Sequence, residues 1–484
     1  MKHITILTIL FFLYSQMAMS QESLRFSLSE AQDYAIEHNK TLQNARLDVT
    51  LSERKYKETV AQGLPQVDGS VDWMTYFNYE MPFDFFGGES YSFTAEQIAE
   101  ATQATKNQFG GIPLVGINTV TDQDLYNYAA GSYNSSLLQS MLPPTSIKMN
   151  DVSTAKIQVG QLIFSGQYWT GIQVAKLGKK IAEQGLDNSI LDIKQSVTNS
   201  YAMVLITEQT IETFKKTISN LNEIKGHTEN MYKAGMAEQT DVDQLSIQVT
   251  MLENNLRSME RGLQMIYSML KFQLGLDNNT KLVLTESLDV LIAGINPKSK
   301  LIEFNINNNS MYQLLETQEK ITQKMVDMQK MTFVPTVTGF YARNQKIIKP
   351  EGFDMTPKNI AGVTMSVPIF SSGKRKEQVA QAKIELDKVQ LNKSMVEDQL
   401  NIQNTQLQLD LKTAIENYDS QKENVTVAKR VYDNIQRKYE QGMASSLDLT
   451  QSNNNYIQAE SNYIQATLSL LQAKVAIDKL FNQL

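Results

Sequence analysis

The chain has 484 residues, a formal net charge of −7 and no cysteine. Without thiols there are no disulfides, no thiolate chemistry and no lipid attached through an N-terminal cysteine. The acidic balance argues against nucleic acid as a partner, since its phosphates need a basic surface.

In chain order, "MKHITILTILFFLYSQMAMSQ" comes first. Lys2 gives a positive start, Ile4 to Leu13 an apolar run too short to span a bilayer, and Ala18 to Ser20 a small-residue site. Residues 1–20 read as a secretory signal peptide, cut near Ser20 or Gln21. No other run of about 20 apolar residues follows, so membrane embedding would require another device than an apolar helix. Length alone allows about three domains, although long helical hairpins consume length without forming several cores.

In "QVDGSVDWMTYFNYE" the residues Val67, Val71, Trp73, Phe77 and Tyr79 share one face, and Asp68, Ser70, Asp72 and Asn78 the other. "TAKIQVGQLIFSG" (154–166), "VPTVTGFYARNQ" (334–345) and "NIAGVTMSVPIFSSG" (359–373) alternate too. Each run is about 10 to 13 residues, the length of a tilted transmembrane strand with an apolar outer face. Residues 80–152 make a long loop between the first two strands, rich in Gly, Asn, Ser and aromatics including Phe83, Phe85, Phe86, Tyr91 and Phe93. These aromatics read as packing the loop on itself, or as an external lid or receptor surface. Residues 346–358 make the corresponding short loop.

After the second strand of each pair comes a helical pattern of unusual length, 167–230 and 374–438, the latter free of Pro and Gly. At 1.5 Å per residue each helix would be roughly 100 Å long. A Gly-containing turn follows, then a second helix with a coiled-coil seam. In the first copy the seam is Val242, Leu245, Val249, Leu252, Leu256, Met259, Leu263, Ile266 and Leu270; in the second it runs from Leu449 to Leu484. The turns, "YKAGMAEQTDV" at Tyr232 to Val242 and "YEQGMASSLDL" at Tyr439 to Leu449, keep Tyr, Gly, Met, Ala and Asp in matched places. The chain is therefore a duplication: a first helix-strand-strand-helix-helix repeat over 21–276, a linker with a short strand signal over 277–299, and a second repeat over 300–484.

Four strands do not close a barrel, because the smallest closed membrane barrels need about eight. Open edges are intolerable in lipid, so several chains must share one barrel. The tandem unit, the strand ends "IFSG" and "IFSSG", and the segments "YKAGMAEQTDVDQL" and "YEQGMASSLDLTQS" followed by heptads resemble the TolC-like outer membrane efflux proteins over essentially the whole mature chain. The resemblance implies a mainly α fold with β: long coiled-coil hairpins forming a trimeric α-barrel continuous with a 12-stranded transmembrane β-barrel, four strands per chain. It implies a homotrimer in outer-membrane lipid, with the helical barrel projecting into the periplasm. A periplasmic adaptor (membrane fusion) protein and an inner-membrane efflux pump would be its partners. The chain would be a passive exit duct for small molecules and not an enzyme.

The resemblance also implies residue roles. Gly235 and Gly442 permit the left-handed geometry that ends a helix. Asp241 and Asp448 stand in the first turn of the returning helices, where a carboxylate favours the dipole; capping alone also accounts for them. With Gln244 and Gln451 one turn later, they are the expected periplasmic aperture. Gln451 stands where some members of the family carry a second carboxylate. Met236, Ala237 and Glu238, with Met443, Ala444 and Ser445, are the expected adaptor contacts, although small residues suit any tight turn. Glu238 and Gln239 depart from the basic or hydroxyl residue frequent there in the family.

After export two histidines remain, His38 and His227, isolated on helical segments. No phosphate loop, GxSxG or HExxH is present, so no catalytic residue, metal site or cofactor is expected. Two rival readings stand beside the efflux duct: a channel for polypeptide secretion, and an exported coiled-coil scaffold with no pore. The four alternating segments oppose the scaffold.

Overall fold

The computed structural model describes residues 24–77, 79–82, 96, 146–148, 151–293, 304–348 and 357–484. The signal segment 1–20, the loop aromatics Phe83 to Phe93 and the greater part of both inter-strand loops lie outside the described residues. Packing divides the chain into two units that cut across the repeats. One is helical: the described residues up to Ala61, with Ser165–Pro335 and Val367–Leu484. The other holds the strands, Gln62–Phe164 and Thr336–Ser366.

The strand unit is built from β2 (Gln66–Met74), β5 (Val152–Phe164), β7 (Thr336–Ile348) and β8 (Asn359–Ser366). They form one antiparallel sheet in the order β2-β5-β7-β8, so β2 and β8 are its edges. A short separate ladder joins β3 (Glu80–Pro82) to β4 (Ser146–Lys148) within the long loop. Two strands are shorter than their alternation suggests. β2 stops at Met74 because Phe77 takes a left-handed φ of 48° and the amide of Tyr79 turns back to the carbonyl of Tyr76. β8 stops at Ser366, two residues before Pro368, which has no amide to give to a ladder.

The helical unit begins with β1 (Leu24–Phe26), α1 (Leu28–His38) and α2 (Lys40–Ala61). Its first long hairpin is α3 (Gly166–Lys233) with α4 (Gln239–Leu274). After β6 (Leu282–Leu284) and α5 (Leu288–Ala293) come α6 (Ser310–Lys330) and the second hairpin, α7 (Lys374–Glu440) with α8 (Ser446–Leu480). At 68 and 67 residues, α3 and α7 are each about 100 Å long. Neither contains a proline, so the ladder of main-chain hydrogen bonds is unbroken. Along their upper halves α2 packs on α3, α3 on α6 and α6 on α7, which leaves α2 and α7 as the outer members.

Apolar seams hold these helices together. Leu245, Leu252 and Leu449 are buried between the hairpins with Phe214, Leu221, Tyr432 and Tyr439. Each buried leucine contributes about 2 kcal/mol. A second cluster joins α1, α3 and α4 through Ala31, Ala35, Val197, Tyr201, Leu270 and Leu274, and it includes Leu282 of β6. The segment expected as a linker thus belongs to the core: β6 pairs in parallel with β1, Leu24 opposite Leu282 and Phe26 opposite Leu284. α4 ends at Gly275, φ 77°, where an added Cβ would lie 2.4 Å from the carbonyl oxygen of His38. His38 itself is spent locally: its ring stacks on Tyr34 at 4.0 Å.

Candidate functional site

The two hairpin tips have one backbone design. Gly235 (φ 73°) and Gly442 (φ 72°) are left-handed, and the next amides, of Met236 and Met443, reach back to the carbonyls of Met231 and Lys438 at 2.8 Å. This six-residue closure satisfies carbonyls that the helix end would otherwise leave open, and it requires a residue without a Cβ penalty at the glycine. Met236 and Met443 project from the two turns, 73% and 66% exposed.

The returning helices start differently. In α8, Ser445 is the N-cap: its Oγ accepts from the Asp448 amide at 3.1 Å, while Asp448 Oδ2 accepts from the Ser445 amide at 3.0 Å and from its hydroxyl at 2.8 Å. These bonds hold the Asp448 carboxyl below its ordinary range although it is exposed. In α4, Asp241 Oδ2 accepts from the Glu238 amide at 3.0 Å, but Glu238 has no hydroxyl to offer. The Asp241 carboxylate accepts instead from the hydroxyl of Ser446 in the other hairpin, which also lies 3.2 Å from Gln244 Oε1. Asp241 and Gln244, both on α4, therefore meet Ser446 across the hairpins. Asp448 and Gln451 face solvent, with Gln451 Nε2 donating to Asn455 Oδ1 at 3.0 Å. Ser446, buried, is the tip residue that sequence reasoning missed. It stands where the first repeat has Gln239, and nothing in the local pattern tells that α4 and α8 meet there.

The polar contact continues up the pair. Gln248 Oε1 accepts from the buried Asn453 at 3.4 Å, and its Nε2 donates to Asn454 Oδ1 at 3.3 Å. Between α3 and α7, Thr228 Oγ1 and the Tyr439 hydroxyl are 2.8 Å apart. The hairpins are thus bonded through a polar strip flanked by an apolar one, an arrangement that specifies register more than it adds stability.

The sheet sorts its faces by register. Val67, Val71, Ile157, Val159, Tyr341, Ala361, Val363 and Met365 fall on one face through the pairs Val67–Val159, Val159–Tyr341 and Tyr341–Ala361. Arg343 is the charged exception, at the Asn359 end of β8. Asp68, Ser70, Asp72, Thr154, Lys156, Gln158 and Asn344 fall on the other, which also holds the apolar Phe340, Ala342 and Ile360 and is mainly rather than wholly polar. One apolar and one polar face, with both edges unpaired, is the pattern of a barrel wall rather than of a sheet packed on a core. No described helix is long and apolar enough to cross a membrane.

Residues 307–483 match the sequence model of the outer membrane efflux protein family. The match lies within the second repeat. No curated protein matches the chain in sequence. Among solved structures, the outer membrane protein VceC from Vibrio cholerae aligns with 94% of this chain and 95% of its own, at 13% identity and a TM-score of 0.66. CusC, described in terms of transmembrane channel formation, aligns over 94% and 92%, at 10% identity and a TM-score of 0.68. The CmeC outer membrane channel of Campylobacter jejuni aligns over 94% and 85%, at 14% identity and a TM-score of 0.64. At such identities the likeness is one of fold, and it spans both repeats, so the fold shared with these channels extends well beyond the matched residues 307–483.

Proposed function

We propose that the chain is the outer-membrane exit duct of a tripartite efflux system. The carrying observation is the four-stranded sheet with an apolar face, a polar face and two free edges. In lipid those edges must be paired, and pairing β8 of one chain with β2 of the next closes a ring without any other element. Three chains supply twelve strands, a number that suits a membrane barrel. The helices favour the same closure, since α2 and α7 are the outer members of their layer and carry exposed apolar residues, Leu47 and Leu51 on one, Ile384, Leu391, Met395 and Ile402 on the other.

In this reading the tips are the periplasmic end. Asp241, Gln244, Asp448 and Gln451 surround the aperture. Met236, Ala237 and Glu238, with Met443, Ala444 and Ser445, meet an adaptor protein that links the duct to an inner-membrane pump. The duct conducts small molecules passively, the pump supplying the energy. Two measurements test this: single-channel conductance of protein extracted from the outer membrane, and photo-cross-linking from Met443 in cells. Ion-conducting pores and a cross-link to a periplasmic adaptor are expected. A soluble periplasmic monomer without conductance would sink the reading in favour of a coiled-coil scaffold.

A further inference from the structure

Between the end of β8 and the start of α7 lies a short segment that neither the aperture nor the tips use. Val367, Ile369 and Phe370 are 52%, 93% and 84% exposed, and Ile369 is the most exposed large apolar side chain among the described residues. Val367 and Ile369 continue the odd-numbered apolar series of Val363 and Met365 past the end of the strand, and Phe370 follows them. The segment then turns sharply through two successive left-handed residues, Ser372 (φ 47°) and Gly373 (φ 82°), closed by the Lys374 amide on the Ser371 carbonyl at 2.9 Å.

Three cations follow at once, Lys374, Arg375 and Lys376. They occupy the first turn of α7, where the helix dipole disfavours positive charge, and Glu377 is the one acidic residue there. None of the three forms an ion pair among the described residues, and Lys374 and Lys376 are exposed. Charge placed against the helix's own preference, beside apolar side chains held out in solvent, fits a surface that is itself apolar below and anionic at its edge.

We infer that Val367 to Lys376 is a contact site for anionic phospholipid at the membrane surface. Ile369 and Phe370 enter the boundary between headgroups and acyl chains, and Lys374, Arg375 and Lys376 meet the lipid phosphates. The site holds each copy of the chain at a fixed depth. This inference rests on the reading of the sheet as a membrane barrel.

The absence of cysteine makes the test direct. Full-length mature protein carrying Phe370→Cys is labelled with an environment-sensitive fluorophore. It is then reconstituted in vesicles of phosphatidylethanolamine and phosphatidylglycerol, one lipid brominated at a time. Met265→Cys, on an exposed position of α4, is the control. The probe at 370 is expected to be quenched by brominated lipid and the probe at 265 not. Brominated phosphatidylglycerol should quench about fivefold more effectively than phosphatidylethanolamine, the effect of roughly one cation at an anionic surface. In K374Q/R375Q/K376Q this preference should vanish while conductance stays unchanged. A conducting protein whose probe at 370 is unquenched would overturn the inference alone, placing the patch in water or under a second copy. Equal quenching by both lipids would overturn it too. A protein that neither enters the vesicles nor conducts would overturn the barrel reading itself, and this inference with it.

Discussion

Ser446, the first residue of α8, donates its hydroxyl to the Asp241 carboxylate in the first turn of α4, joining residues 205 positions apart. The bond exists because the two tips are unequal copies. Where Ser445 satisfies Asp448 within its own capping box, Glu238 leaves one oxygen of Asp241 free for the other hairpin. A duplicated turn has thereby been turned into a latch between hairpins.

If the tips form the aperture, Ser446→Ala should loosen it. Hydrogen bonds to charged groups are worth about 1.5–3 kcal/mol, and with Asp241 only partly buried about 1 kcal/mol is expected, roughly a fivefold rise in open probability. Single-channel recording and entry of a large antibiotic check this. Asp241→Ala should behave alike, and the double variant should add little to either. Recordings of the Ser446 variant that match the parent would remove the latch from the account.

Asp448 should behave differently, because its bonds are internal to one hairpin. Its folded carboxyl lies below the ordinary aspartate value of 3.8, held there first by the Ser445 hydroxyl and then by the Ser445 amide. The stabilising contribution is therefore complete above that value and is lost as pH falls through the lower folded one. Amide exchange at the second tip should be insensitive to the state of Asp448 across the neutral range and accelerate only in strong acid. Asp448→Ala should show the acid behaviour at neutral pH, and Ser445→Ala should approach it.

Two glycines at positive φ separate strain from space. At Gly442 an added Cβ meets nothing within 4 Å, so Gly442→Ala should cost only the left-handed backbone, about 1 kcal/mol. At Gly275 the same Cβ would fall 2.4 Å from the His38 carbonyl oxygen and 2.8 Å from its carbon, so the α1–α2 junction must move. Thermal unfolding should therefore rank Gly275→Ala well below Gly442→Ala. Equal losses would show that the close approach at Gly275 is not maintained in solution.

Glu319 on α6 and Lys393 on α7 pair at 2.9 Å, with the ammonium 5.2 Å above the Tyr312 ring. The pair lowers the Glu319 carboxyl and raises the Lys393 ammonium. The Glu319 contribution is present above its ordinary value of 4.5 and disappears as pH falls through the folded value. The Lys393 contribution is present below 10.5 and disappears as pH rises through its higher folded value. A double-mutant cycle with Glu319→Gln and Lys393→Met should give a coupling of about 1 kcal/mol near neutrality, falling at both extremes.

Much of the fold is legible in the sequence because its periods are long and regular. The Val242-to-Leu270 seam packs as its spacing requires, and the two glycine turns close at the residues that repeat. Strand ends were less legible, since the alternation through Tyr79 and Phe370 continues past the points where Phe77 turns and Pro368 removes a donor. The 277–299 segment reads as a linker with a short strand signal because nothing local pairs Leu282 to Leu284 with their remote partner β1. Ser446 was hidden for a related reason: its role depends on which helix α8 meets, and no local pattern encodes that.

If several copies share one barrel, β8 of each chain pairs with β2 of the next. Within one chain those edges are separated by β5 and β7, about 14 Å apart, too far for a disulfide. The most direct measurement places one cysteine along Gly69 to Trp73 and one along Ala361 to Met365 in the cysteine-free chain, then oxidises intact outer membranes. A covalent ladder that ends at three chains is expected, for pairs in one register. Monomers at every pairing, in protein recovered from the membrane, would contradict it.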